Sequence, residues 1–247
     1  MNNTEIICLI IASIIAALAL VALVMRFVLL VKYWVLNKKQ AATGISARDV
    51  ARKFLDENGM QDVRVERVGF FRMLFFGNHY SVMKKTIYLR KSIIYKNSIT
   101  AISVALQKVG LAMQHKNKEK GFMTRYVFQI LSFFSPLIFY TIVIAGVVID
   151  FVSGFTGTVS IVAIIVAFAY YLLVFFCLLF TIKVESRANK QSIYMIENSQ
   201  ILSEVDVRLA KELLDTYVII DILDFVISIL KIFYYIIKFF SKFKRVK

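Results

Sequence analysis

IICLIIASIIAALALVALVM, residues 6–25, is a run of twenty residues without a charge. Two more such runs follow, YVFQILSFFSPLIFYTIVIAGVVI at 126–149 and TVSIVAIIVAFAYYLLVFFCLLFTI at 158–182, of 24 and 25 residues. About 20 apolar residues in helical conformation cross the roughly 30 Å of hydrocarbon in a bilayer, so each run is long enough to span it. The whole chain agrees: 59% of its 247 residues are hydrophobic, its mean hydropathy is +0.71, and it has one proline, Pro136. That is too apolar for an ordinary soluble domain. The first run is read as an anchor and not a signal peptide. It exceeds an h-region of about 7 to 15 residues, and no A-x-A-like site stands at its end.

Charge sets the expected orientation. The net charge is +15, and residues 31–125 hold 19 Lys and Arg against six Asp and Glu, whereas the connection 150–157 has no basic residue. Basic segments stay on the cytoplasmic side, so the N-terminus and the 150–157 connection are expected outside, with 31–125 and 183–216 in the cytoplasm. Arg26, Lys32, Lys38 and Lys39 flank the inner end of the first span. The same excess suits anionic lipid headgroups, at about 1 kcal/mol for each basic residue held near the surface. Because the charge follows topology, nucleic acid is not expected as a partner. Cys8 and Cys177 both fall inside predicted spans, which leaves no disulfide framework or Cys-rich metal site.

Between the spans the signals are local. Ser46 can cap a helix, with Asp49 three residues on adding favourable charge, and Asn58–Gly59 can stop it near Glu57. Val63, Val65 and Val68, and residues 85–90 after a turn near Gly77 and Asn78, read as short strands that pair. A helix over 98–115 follows. The last apolar region, 217–240, is interrupted by Asp221, Asp224, Lys231 and Lys238. At 100° per residue these share an arc of about 100° with Ser228, Tyr235 and Lys242. Such a helix lies in the interface or spans with its polar stripe turned inward. The basic tail, Lys242, Lys244, Arg245 and Lys247, argues for the interface. The expected fold is a mainly α-helical membrane protein with three transmembrane helices and a C-terminal amphipathic or fourth membrane helix. Its parts are an anchor at 1–30, a small α+β cytoplasmic region at 31–125, two spans at 126–182, a cytoplasmic helical segment at 183–216 and the last helix with its tail at 217–247.

Several stretches resemble one family in order: TGISARDVARKFLDENGMQD at 43–62, VRVERV at 63–68, NHYSVMKKTIYLRKSIIYKNSITAISVALQKVGLAMQH at 78–115, TIKVESRANKQS at 181–192 and LDTYV at 214–218. Together they are similar to the YugP-like membrane zinc metallopeptidases, whose central helix carries an AHEVGHAIQ-type sequence. In that H-E-x-x-H pattern two imidazoles four residues apart share a helix face and bind zinc, while the Glu activates its water. The resemblance places a third ligand at Glu185. It aligns Gln107 and Leu111 with the histidines and Lys108 with the glutamate. A neutral amide, an alkyl group and an ammonium cannot do that chemistry. The resemblance therefore implies vestigial site positions Gln107, Lys108, Leu111 and Glu185, with no catalytic residue and no metal ligand among them. Zinc, the family cofactor, is then not expected here. Lys108 is expected to face Glu185 and partly replace the missing ion's charge.

The DHYDP-like segment of the family keeps His79 and Tyr80 as possible cleft residues but has Ser81 and Val82 where Asp and Pro stand. The chain's two histidines, His79 and His115, with Glu185, are the alternative displaced metal set. It would shift the metal by about 5 Å, one helical turn. Three functions follow: a pseudopeptidase that binds a peptide or membrane-protein partner, an active metallopeptidase with a displaced metal, or a membrane scaffold or transport accessory. On the topology, a reporter fused after Lys118 is expected to behave as cytoplasmic and one inserted near Gly154 as external. The reverse pattern would overturn the charge reading and a cytoplasmic cleft with it.

Overall fold

The computed structural model describes residues 3–154 and 156–243, so Lys244, Arg245 and Lys247 lie outside the described residues, as do the side chains of Pro136, Cys177 and Lys242. Among the described residues the chain is mainly helical, with helices α1 (Asn3–Leu36), α2 (Ala47–Glu57), α3 (Phe70–Phe76), α4 (Lys91–Ile94), α5 (Ile99–Lys116), α6 (Phe122–Val152), α7 (Thr158–Ser199) and α8 (Glu204–Phe243). The strands are β1 (Arg64–Arg67), β2 (His79–Ser81) and β3 (Thr86–Leu89). By internal contacts the chain divides into two units, Met1–Lys116 with Glu185–Lys247, and Asn117–Val184.

In the first unit α1 is 34 residues long, about 50 Å at 1.5 Å per residue. Its segment Glu5–Leu36 is, among the described residues, the one long and apolar enough to cross a membrane. The other two expected spans are apolar over shorter described stretches, Leu137–Val152 and Thr158–Tyr170. Helix α8 packs along α1 in the opposite direction. Arg26 meets Asp224 at 2.5 Å, Lys32 meets Glu212 at 3.5 Å and Lys39 meets Asp206 at 2.5 Å, so partners rise in number on one helix as they fall on the other. Ala22 and Ile227 are buried at one level of this pair.

The soluble core forms around α5. This helix is buried on nearly every side, through Ile102, Leu106, Val109 and Ala112, with α2, the sheet and part of α8 around it. A helix apolar on all faces belongs inside. The Ser46 cap forms as expected: its Oγ accepts from the Asp49 amide at 3.3 Å and donates to the Asp49 carboxylate at 2.6 Å. Asn58 closes the helix, and Gly59 takes φ +60. The strands pair as expected, but in the order β1-β3-β2, with β1 parallel to β3 and β2 antiparallel to it. The turn expected at Gly77 is instead the end of α3, which carries the chain from β1 to the edge strand β2.

Residues 183–216, expected as one cytoplasmic helical segment, belong to two long helices. α7 continues without a break to Ser199, and α8 already begins at Glu204. No glycine or proline interrupts 183–199, so the helical ladder simply extends. In the second unit, α6 and the first part of α7 form a hairpin whose connection is held by Asp150, which accepts from Thr156 Oγ1 at 3.1 Å and Ser160 Oγ at 2.9 Å. Gly146 packs against Ala163, where a Cβ on the glycine would come within 2.2 Å of the alanine's own. Small residues permit such close approach in apolar surroundings.

A similar contact holds α5 to α7 in the first unit. A Cβ at Gly110 would lie 2.9 Å from the Ala188 carbonyl oxygen and 3.2 Å from its Cα. Backbone cannot move aside cheaply, so Gly110→Ala is expected to destabilise the protein by about 1–3 kcal/mol, despite a helix-propensity gain of about 1 kcal/mol. Thermal unfolding of the purified protein in detergent measures this; a rise in melting temperature would mean the helices are not in that contact.

Candidate functional site

Helix α5 points Gln107 at α7. The side chain is buried, and its Nε2 donates to Asn189 Oδ1 at 2.7 Å and to Glu185 Oε2 at 3.1 Å. Glu185 and Asn189 are four residues apart, on one face of α7. Asn189 in turn donates from Nδ2 to the Leu214 carbonyl of α8 at 2.9 Å. This chain fixes its own direction. A carbonyl can only accept, so Asn189 turns its NH2 to Leu214 and its oxygen to Gln107, which must then present its own NH2. Two further contacts continue the seam between α5 and α7: Ser192 donates to the Ser103 carbonyl at 3.3 Å, and Gln114 to Gln191 at 3.5 Å.

The other positions on α5 that the resemblance singles out separate around the helix. Leu111 is in the core, 2% exposed. Lys108 is partly buried, and its charge acts on His79. The donor on Glu185 at 3.1 Å is Gln107, a contact that the charge argument for Lys108 did not anticipate.

The two histidines are occupied locally. His79 is stacked on Tyr88 with ring centroids 5.1 Å apart, and its Nδ1 lies 3.1 Å from the Gly77 carbonyl. Burial pushes its pKa down; the Gly77 bond opposes this, while Lys108 and Arg72 add to it. His115 Nδ1 lies 2.9 Å from the Tyr80 hydroxyl. Burial lowers the His115 pKa, assisted by Lys85, and pushes the Tyr80 hydroxyl up to about 12, with Asp62 adding a smaller push. Near neutral pH a neutral imidazole therefore accepts from a protonated phenol. Among the described residues, no group of three His, Cys, Asp or Glu side chains is placed to hold a metal ion, so His79, His115 and Glu185 do not converge.

Tyr80 and His115 line a cavity of about 620 Å³ together with Asp62, Lys85 and Lys116, and Lys85 is 2.6 Å from Asp62. A second, more apolar cavity of about 720 Å³ lies between α2, α5 and α7, lined by Phe54, Met113, Tyr194 and Met195 among others. Neither is lined by Gln107, Lys108, Leu111 or Glu185. Tyr80, a cleft candidate in the sequence, lines the first cavity, whereas His79 is not among its lining residues; Asn189 and the apolar cavity were missed. The spacing of Asn189 from Glu185 was the available signal for the former; the apolar cavity, made by residues far apart in the chain, left none.

A family model described as "Putative neutral zinc metallopeptidase" matches residues 7–240. A protein of Bacillus subtilis (strain 168), described as "Putative membrane protease YugP", is 35% identical over 107 residues, which cover 42% of this chain and 46% of that relative. The match thus spans just under half of the relative's length. No solved structure matches the chain.

The hydrogen-bond chain makes a quantitative prediction. Gln107→Met or Asn189→Leu leaves a buried polar partner unsatisfied, at a cost of about 1–3 kcal/mol each. The double variant removes both ends of their shared bond, so its loss is expected to be smaller than the sum of the singles. Thermal or denaturant unfolding reads the difference, and strict additivity would show that the two side chains are not coupled.

Proposed function

The chain belongs to the neutral zinc metallopeptidase family whose model it matches over residues 7–240, and we propose that it is a pseudopeptidase of the membrane, which binds a peptide or membrane-protein partner without cleaving it. The observation that carries this reading is the Gln107 amide. It directs N–H groups at Glu185 and Asn189, in the direction from which a metal ligand would offer a lone pair. Zinc does not fit these residues: an amide NH2, an alkyl side chain and an ammonium replace the two imidazoles and the base of the family pattern. The bond from Gln107 satisfies a Glu185 oxygen without an ion.

The displaced-metal enzyme is disfavoured by the local roles of His79 and His115, each of which uses Nδ1 within its own surroundings. A scaffold without a binding role leaves the cavity at Tyr80 and His115 and the apolar one at Met113 and Tyr194 unused. Both offer a peptide polar and apolar contacts. In the membrane, α1, α6 and the first part of α7 are read as spans with the N-terminus outside. The antiparallel packing of α8 on α1 supports a fourth crossing over the interfacial placement, because residues beyond Asp224 run back beside the apolar part of α1. Pairing Asp224 with Arg26 lowers the cost of placing either charge at that boundary.

Metal analysis of the purified protein tests the proposal. The native chain is expected to hold well under one zinc per protein and to leave protein substrates intact, whereas combined Gln107→His, Lys108→Glu and Leu111→His substitution is expected to raise the zinc content. Stoichiometric zinc in the native protein, lost on changing His79 or His115, would overturn the reading in favour of the displaced site.

A further inference from the structure

Helix α3, FFRMLFF, exposes aromatic rings on a part of the chain outside the long apolar runs. Phe70 is 67% exposed, Phe71 77% and Phe76 46%. Single apolar residues on a surface need no explanation, but Phe70 and Phe71 meet edge to face at 5.8 Å and form a patch at the start of the helix, while the Phe76 ring lies against His79 at its end. The sequence that holds them is basic. Residues 67–91 contain Arg67, Arg72, Lys84, Lys85, Arg90 and Lys91 and no Asp or Glu. Arg72 lies over the Tyr88 ring at 4.9 Å, and the Arg90 guanidinium is beside Gly77, where a Cβ would meet Nη2 at 3.0 Å.

The end of α3 is tied to the inner end of α1. Asn78, the residue after Gly77, accepts from the Arg90 amide at 2.7 Å. The side chains of Asn78 and Ser92 are close enough to act on the Tyr33 hydroxyl, near the end of α1. Around Tyr33 stand Lys32 and the exposed Trp34, with the Lys38 ammonium 3.4 Å from the centroid of the Trp34 ring. Tyr, Trp and Lys together mark where a membrane helix meets the headgroups. The aromatic patch is therefore attached at the level where α1 leaves the hydrocarbon.

We propose that α3 is an interfacial wedge: Phe70 and Phe71 enter the headgroup and acyl boundary of the membrane that α1 crosses, and Arg72 and Arg90 hold anionic lipid phosphates. The inference rests on the reading of α1 as a membrane span. Aromatic side chains are suited to this boundary, and guanidinium groups bind phosphate oxygens in pairs. A bilayer also fits the basic excess of residues 67–91, because cations attract an anionic surface. Since β2 begins two residues after Gly77, the wedge holds Tyr80 and its cavity close to the membrane surface. A ligand reaching that cavity is then presented along the bilayer.

The test uses the full chain in lipid nanodiscs, with Cys8 and Cys177 changed to Ala and one environment-sensitive probe attached through Phe71→Cys, or through Phe70→Cys if the first variant fails to fold. Ile14→Cys in α1 is the reference. The wedge requires several-fold quenching of the position-71 probe by spin label near the headgroup, protection from aqueous iodide, and stronger quenching when phosphatidylglycerol is added to phosphatidylcholine. Arg72→Glu is expected to reduce that dependence on anionic lipid. If Ile14 is quenched from the lipid while position 71 is quenched by iodide, α1 spans and the wedge is wrong. Shielding of position 71 from both quenchers would assign the patch to a protein contact and overturn the proposal. Iodide access at Ile14 would instead remove the membrane reading on which the wedge depends.

Discussion

The NH2 group of Gln107 donates to two oxygens of α7 at once, and the first of them, on Asn189, belongs to an amide that also holds α8. Three helices distant in sequence are thereby fixed at one buried point. Hydrogen bonds in such surroundings are individually directional and costly to leave unmade, so this chain specifies how α5, α7 and α8 meet as well as adding stability. Its geometry depends on Gly110, because a larger residue would push the Ala188 backbone away and lengthen the bonds one turn earlier on α5.

A second constraint operates along α1 and α8. Three ion pairs, from Arg26 to Lys39 on one side and from Asp224 to Asp206 on the other, follow the antiparallel direction of the two helices. Exposed pairs such as the first two contribute little individually in water, whereas Asp206 is buried and its pairing with Lys39 compensates a charge withdrawn from solvent. Together the three fit one register of the two helices. Asp224 of the polar stripe on α8 lies in this seam, which gives that member a structural role before any functional one.

The histidines show how local satisfaction removes a chemical option. Stacking on Tyr88 and the Gly77 carbonyl hold His79, and the Tyr80 hydroxyl holds His115. Burial lowers the pKa of both rings and so favours their neutral forms, and each joins the sheet or the central helix to its neighbour. The two rings are parts of the packing around β2, on the side of the chain that also carries α3.

What the sequence determined by itself was local. The Ser46 and Asp49 cap, the stop at Asn58 and Gly59, and the extent of α5 follow from neighbouring residues and helical periodicity, and all appear where those signals place them. The apolar run of α1 was equally legible, as were the residues of β1 and β3. Their parallel pairing was not, because short strands carry no register information until α3 and β2 set their spacing. The continuity of α7 through residue 183 was hidden by reading the change from apolar to charged sequence as a boundary, although a helix needs only unbroken backbone hydrogen bonds and not uniform polarity. Sequence alignment named Gln107 and Glu185, but only the tertiary structure decided which side-chain atoms meet. Asn189 and the Leu214 carbonyl, contributed from two other helices, orient the amide, and that orientation exists only once the three helices have packed.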